Sequence, residues 1–224
     1  MLLVAVPGFA QPQEPFPDET VAQLLTAALY QYFDPTSRFE VSASGSRLGG
    51  DLLTVDDLFI SGKPVVRHGL RGEVLIHLSG LEIDLAALTS QTTFRAHRVR
   101  EATVVSKTTA DAVQDALGRL SASVLSPRIR FQEESFSVTA TIRREGGLYP
   151  MEARGTLVVV QAQRVYVALS DVKVSGASVP VDLVDAELAR INPILDLAKW
   201  PVPLHIQRLV LHKDAIELLA TNSK

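Results

Sequence analysis

The sequence predicts an α+β fold built on a mainly antiparallel sheet. Three observations predict it. Two segments carry apolar residues at helical spacing, most of the other apolar residues alternate as strands do, and the strands follow one another directly. A parallel pairing would need a crossover between them. The chain has 224 residues, 46% hydrophobic and 21% charged, with a formal net charge of -3. That composition belongs to a folded chain with a core.

The first segment, Leu2 to Ala10, is apolar, with Gly8 and Ala10 at the spacing a signal peptidase reads. It resembles the end of a secretory signal peptide, although a basic n-region is missing. The expected location is therefore extracytoplasmic, in the periplasm or cell envelope. Residues 11–17 (QPQEPFP) read as a linker. Residues 18–224 read as a single domain with two sub-halves, about 18–105 and 106–224, each opening on an amphipathic helix. No later run reaches the roughly 18 uninterrupted apolar residues of a membrane helix.

"DETVAQLLTAALYQYF" starts with acids that suit a helix N-terminus, and Val21, Leu24, Leu25, Ala28, Leu29, Tyr32 and Phe33 form one stripe. "RFEVSAS" alternates as a half-buried strand. "SGSRLGGD" reads as a turn, "LLTVDDLFI" and "LRGEVLIHLSGLEIDL" as strands, and "QTTFRAHRVREATVVSK" as a less regular one. "TTADAVQDALGRLSASVL" is the second helix, with a capping-box-like start from Thr108 to Asp111 and a stripe of Val113, Ala116, Leu117, Leu120 and Val124. Strands "RIRFQ" and "SFSVTATI" follow, then one long or two shorter strands in "ARGTLVVVQAQRVYVALSDVKVSG". "VDLVDAELARI" is a short helix, and "PLHIQRLVLHKDAIELLA" a final strand pair. The apolar runs Leu157 to Val160 and Leu209 to Leu211 imply cover on both faces.

Reactive chemistry is hard to find. The chain has no cysteine, which removes disulfides, thiol catalysis and most zinc sites. His68, His77, His97, His205 and His212 form no metal-binding spacing. Asp56 and Asp57 are neighbours, so on a strand they diverge rather than converge on one bond. "SGSRLGG" lacks the spacing of a nucleophile elbow, and no phosphate-cradling glycine motif occurs. The charge balance offers no basic stripe for nucleic acid. The expectation is a non-catalytic protein without metal or cofactor. "FRAHRVR" groups Arg95, Arg98 and Arg100, either the wet face of a strand or candidates for an anionic headgroup.

The stretch "INPILDLAKWPVPLHIQRLVL", Ile191 to Leu211, is apolar and broken by Pro193, Pro201 and Pro203. With Gly176 to Pro180 ahead of it and "VVSKTTADAVQDAL" at the second helix, it resembles the LmeA family of bacterial envelope phospholipid-binding proteins. The resemblance covers about 105–220. "HKDA" (His212 to Ala215) stands where the family has glycine before the last strand.

The resemblance implies a long curved sheet wrapped on two amphipathic helices, as in tubular lipid-binding modules, with an apolar seam for acyl chains. The partner it implies is a phospholipid or other amphiphile, with peripheral membrane contact. On this reading the seam is walled by Leu25 and Leu29, Val113 and Leu117, Val138, Ala140 and Val159, and Leu195, Trp200 and Ile206. Trp200, the only tryptophan, is expected at the rim. The alternative is a structural or interaction protein whose seam is filled by its own side chains.

Overall fold

The computed structural model describes residues 13–67, 69–90, 93–120, 123–144 and 146–223. The run Leu2–Ala10, His68 and the Leu120 side chain lie outside the described residues. In chain order the elements begin β1 (Glu14–Pro15), α1 (Asp18–Leu29), β2 (Phe39–Ser44), β3 (Arg47–Gly49), β4 (Leu52–Arg67), β5 (Leu70–Asp84) and α2 (Leu85–Ser90). β6 (Ala96–Arg98), β7 (Glu101–Thr109), α3 (Ala110–Leu120), β8 (Val124–Gln132), β9 (Ser135–Arg144), β10 (Gly147–Val160) and β11 (Arg164–Val174) follow. Then come β12 (Ala177–Ser178), α4 (Val181–Leu188), β13 (Leu195–Asp196), a 3-10 turn at Leu197–Lys199, β14 (His205–Leu211) and β15 (Ala215–Thr221).

The fold is α+β with two antiparallel sheets, one of them curled strongly into a half-barrel. The first runs β1-β3-β4-β5-β7-β15-β14, with β2 also on β4 and β6 on β5. The second runs β12-β11-β10-β9-β8, with β13 on β11. The C-terminal hairpin therefore returns to the first sheet, where β15 pairs with β7 from Ala215 opposite Thr109 to Thr221 opposite Thr103. A register shift at Gly62/Val65 puts a bulge in β4, and one opposite Arg154/Gly155 leaves Ser170 as the extra residue of β11; such bulges bend long strands.

The first sheet buries one face under α1, α2 and the segment before β14. Val21, Leu25, Ala28 and Leu29 of α1 meet Leu53, Leu58, Ile76, Leu78 and Val104 of the sheet in one cluster. Each side chain so buried contributes roughly 1.5–3 kcal/mol. At the head of α1, the Ser46 side chain and its backbone N–H, which donates to Asp18 Oδ1 at 2.9 Å, hold the Asp18 carboxyl below its ordinary value.

Several sequence expectations need correction. α1 stops at Leu29 with Tyr30 as its C-cap, so Tyr32 and Phe33 follow outside the helix, and Pro35 bars any continuation through Asp34. The linker 11–17 is strand in part: β1 pairs with β3, inside the stretch read as a turn, and the Phe16 N–H bonds to the Ser46 carbonyl at 2.9 Å. The α3 cap is Thr109, whose Oγ1 accepts from Ala112 N at 3.2 Å, in place of a Thr108–Asp111 box. Val124 belongs to β8, not to the helical stripe. Cover on both faces fails at Val158, Val159 and Val160, which are 41%, 38% and 37% exposed at the end of a hairpin.

Candidate functional site: an apolar trough on the second sheet

In the second sheet β9 alternates strictly, and β8, β10 and β11 alternate on either side of register shifts at Leu125/Arg128 and Arg154/Gly155. Opposite residues in an antiparallel ladder share a face. Ile129, Val138, Ala153 and Val172 form one cross-strand row. Ala140, Met151 and Val174 form the next, and Val124, Ile142 and Tyr149 the row beyond. This face holds no charged residue in any of these rows. The charges, among them Arg128, Glu152, Arg154, Asp171 and Lys173, occupy the other face. Lone alternation of this kind normally marks a face turned to a core.

Here that core is small. Its cluster holds three buried side chains, Phe131, Phe136 and Leu211, against 26 in the first sheet's cluster, while Ala153 on the floor and Ala116 of α3 are buried beside it and Val165 at the end of β11 joins the first sheet's core. Val113 of α3 packs on it, as do Ile129, Val138 and Leu169. Farther out, Ala140, Ile142, Met151 and Val174 are only half-buried. α3 contacts β8 along one edge of this sheet, and α4 contacts β11 along the other. The result is an apolar floor between two helices, with Tyr149 carrying the floor's one side-chain polar group in these rows. A dry floor of this kind can hold an acyl chain at about 0.8 kcal/mol per buried CH₂.

The β11 edge is closed by a side chain acting as backbone. Asn192 Oδ1 accepts from Val167 N at 2.9 Å, and Asn192 Nδ2 donates to Val167 O at 2.8 Å. Ile194 N then bonds to Val165 O at 2.9 Å, and β13 continues the pairing. The phrase INPILDL thus seals an edge strand that would otherwise offer free backbone groups.

The ten proposed wall residues divide between two places. Val113, Val138 and Ala140 belong to the trough, Leu117 is half-buried one turn beyond Val113 on α3, and Val159 lies on the same face of β10, 38% exposed. Leu25, Leu29 and Ile206 are buried in the first sheet's core, with Leu195 and Trp200 packed against it. That core is nearly full. Its residual hollow, between Phe33, Ile60, Val104, Trp200 and Leu204, measures about 30 Å³, room for no more than a water. Trp200 is half-buried and meets Phe33 edge-on at 6.1 Å, and its Nε1 has no hydrogen-bond partner among the described residues. Burial also raises the Tyr32 hydroxyl's pKa at this hollow.

The three arginines sit elsewhere. Arg95, Arg98 and Arg100 are exposed, and Arg98 lies 3.8 Å from Glu82 at one end of β5. α3 meets the other end, where Arg119 Nη2 donates to Gly69 O at 2.8 Å. About 40 Å of strand separates the two ends, at roughly 3.3 Å per residue. The arginines do not converge on the trough.

One surface had no signal in the sequence reading. The outer face of the first sheet carries an open hollow of about 520 Å³ lined by Phe59, Leu75, His77 and Val105. His77 stacks on Phe59 at 4.2 Å and its Nε2 lies 3.1 Å from Asp57 Oδ1. Cross-strand neighbours 18 residues apart cannot be paired before register is known. Among the described residues no group of three or more His, Asp or Glu could hold a metal ion. Comparison with protein-family models, with curated proteins and with solved structures finds no match.

Proposed function

We propose that this protein binds a phospholipid or related amphiphile without catalysis, holding an acyl chain on the apolar face of the second sheet. The observation that carries the reading is the contrast between the two sheets. The first has its apolar face sealed, and the second leaves Ala140, Ile142, Met151 and Val174 half-buried between α3 and α4. An unsealed apolar face on a folded chain is a binding surface more often than a defect. The signal-like N-terminus and the LmeA resemblance support an envelope location.

A second reading has its own support. The filled first core and the exposed Phe59, Leu75 and Val105 suit a structural or interaction protein with no small ligand. Native mass spectrometry separates the two. Purified protein is expected to carry substoichiometric lipid, and delipidated protein to take up a labelled phospholipid. Ala140→Trp fills the floor at a half-exposed position, so uptake should fall about tenfold while circular dichroism is unchanged. Absence of both bound lipid and uptake in the wild type refutes the lipid reading in favour of the second.

A further inference from the structure

α4 has the sequence VDLVDAEL, and none of its residues is buried. Val184 and Leu188, one turn apart, are half-buried beside β11. Val181 is 69% exposed, Leu183 60%, and in the segment that follows Ile191 is 54% and Ile194 48%. One exposed leucine is ordinary, but four large apolar residues exposed within residues 181–194 give this short segment apolar surface on more than one side, since Val181 and Leu183 lie on different faces of the helix.

The segment lies along β11, the strand at the trough's edge. Val179 N bonds to Val172 O at 2.9 Å just ahead of the helix, and Val172 belongs to the trough floor. After the helix, Asn192 ties the chain to Val167. The segment therefore borders the trough from Val172 to Val165. Its charges are Asp182, Asp185 and Glu187 against Arg190, which lies 3.1 Å from Glu187. With a chain net charge of -3 as well, an anionic surface would repel this edge.

We propose that α4, with Ile191 and Ile194, is the surface by which the protein sits on an electrically neutral, zwitterionic lipid bilayer, with the trough opening towards the acyl region. This inference rests on the lipid reading above. It selects a neutral bilayer by charge, and it gives the arginine cluster at the far end of the first sheet no part in docking.

Vesicle flotation tests it. The full chain should float with phosphatidylcholine vesicles, and replacing a third of the lipid with phosphatidylglycerol should weaken flotation at low salt, with recovery at higher salt. Val181→Asp combined with Leu183→Asp should reduce flotation at least tenfold, with the thermal midpoint unchanged because both side chains are exposed. In the same variant, uptake of a short-chain labelled phospholipid below its critical micelle concentration should persist. No flotation of the wild type, equal flotation of the variant, or stronger binding to phosphatidylglycerol overturns the docking inference. So does a concentration-dependent dimer that the variant abolishes, which assigns the surface to a second copy. Loss of flotation with uptake intact leaves the lipid reading standing, and loss of uptake with flotation intact removes that reading alone.

Discussion

Asn192 is the residue on which the outer edge of the second sheet turns. Its amide completes both backbone bonds of Val167, at 2.9 and 2.8 Å, where no strand is present to do so. Each such bond is worth about 1 kcal/mol net, and more when its loss leaves a partly buried group unpaired. Asn192→Ala is expected to cost about 2 kcal/mol in urea unfolding. Asn192→Asp keeps an acceptor but sets a carboxylate against the Val167 carbonyl, so it should cost at least as much at neutral pH. A change of only a few tenths in both variants would mean that the edge is held by β12 and β13 alone. The sequence marks Asn192 only as part of a phrase. Its role depends on which strand lies at the edge, and that is a property of the whole sheet.

At the scale of elements, two glycines separate what packing forbids from what it permits. Gly155 of β10 lies opposite the β11 bulge, where a Cβ would strike the Ala168 carbonyl oxygen and come within 2.8 Å of the Phe136 ring. Backbone cannot move aside cheaply, so Gly155→Ala is expected to destabilise by about 1–3 kcal/mol. Gly118 sits in α3, where a Cβ would meet only Pro127, at 3.7 Å and beyond. Gly118→Ala should therefore stabilise by roughly 0.5–1 kcal/mol, through helix propensity and a stiffer unfolded chain. Thermal denaturation of the pair checks the opposite signs. The same two elements frame the trough: β10 supplies its floor through Met151 and Ala153, and α3 its side through Val113.

Across the whole molecule, the two sheets should differ in stability. β4, β5 and β7 are central in a sheet whose apolar face is sealed, whereas β9 and β10 carry half-buried floor residues. Local opening follows such differences in burial. Hydrogen exchange in the delipidated protein is expected to be slowest in β4, β5 and β7. Added phospholipid should slow exchange chiefly in β9, β10 and β11. Slowing in β4 and β5 alone would instead put the ligand on the first sheet, at the Phe59 hollow.

Local pattern by itself determined the element types. The stripe from Val21 to Leu29 could bury only as a helix, and Phe136, Val138, Ala140 and Ile142 could share a face only as a strand. The antiparallel class followed from strands joined without crossovers. Element ends were less legible: Thr109 and Thr108 are both chemically able to cap α3, and only the helix's path chooses between them. Tertiary structure alone decided which apolar surfaces are closed. Leu25 and Ala140 carry the same hydrophobic signal in the sequence, yet one is 2% exposed beneath a sealed sheet and the other half-buried on an open floor. Periodicity says that a residue has an apolar face, because its spacing is set by the backbone beneath it. What lies across from that face depends on how distant segments pack, such as the return of β14 and β15 to the first sheet.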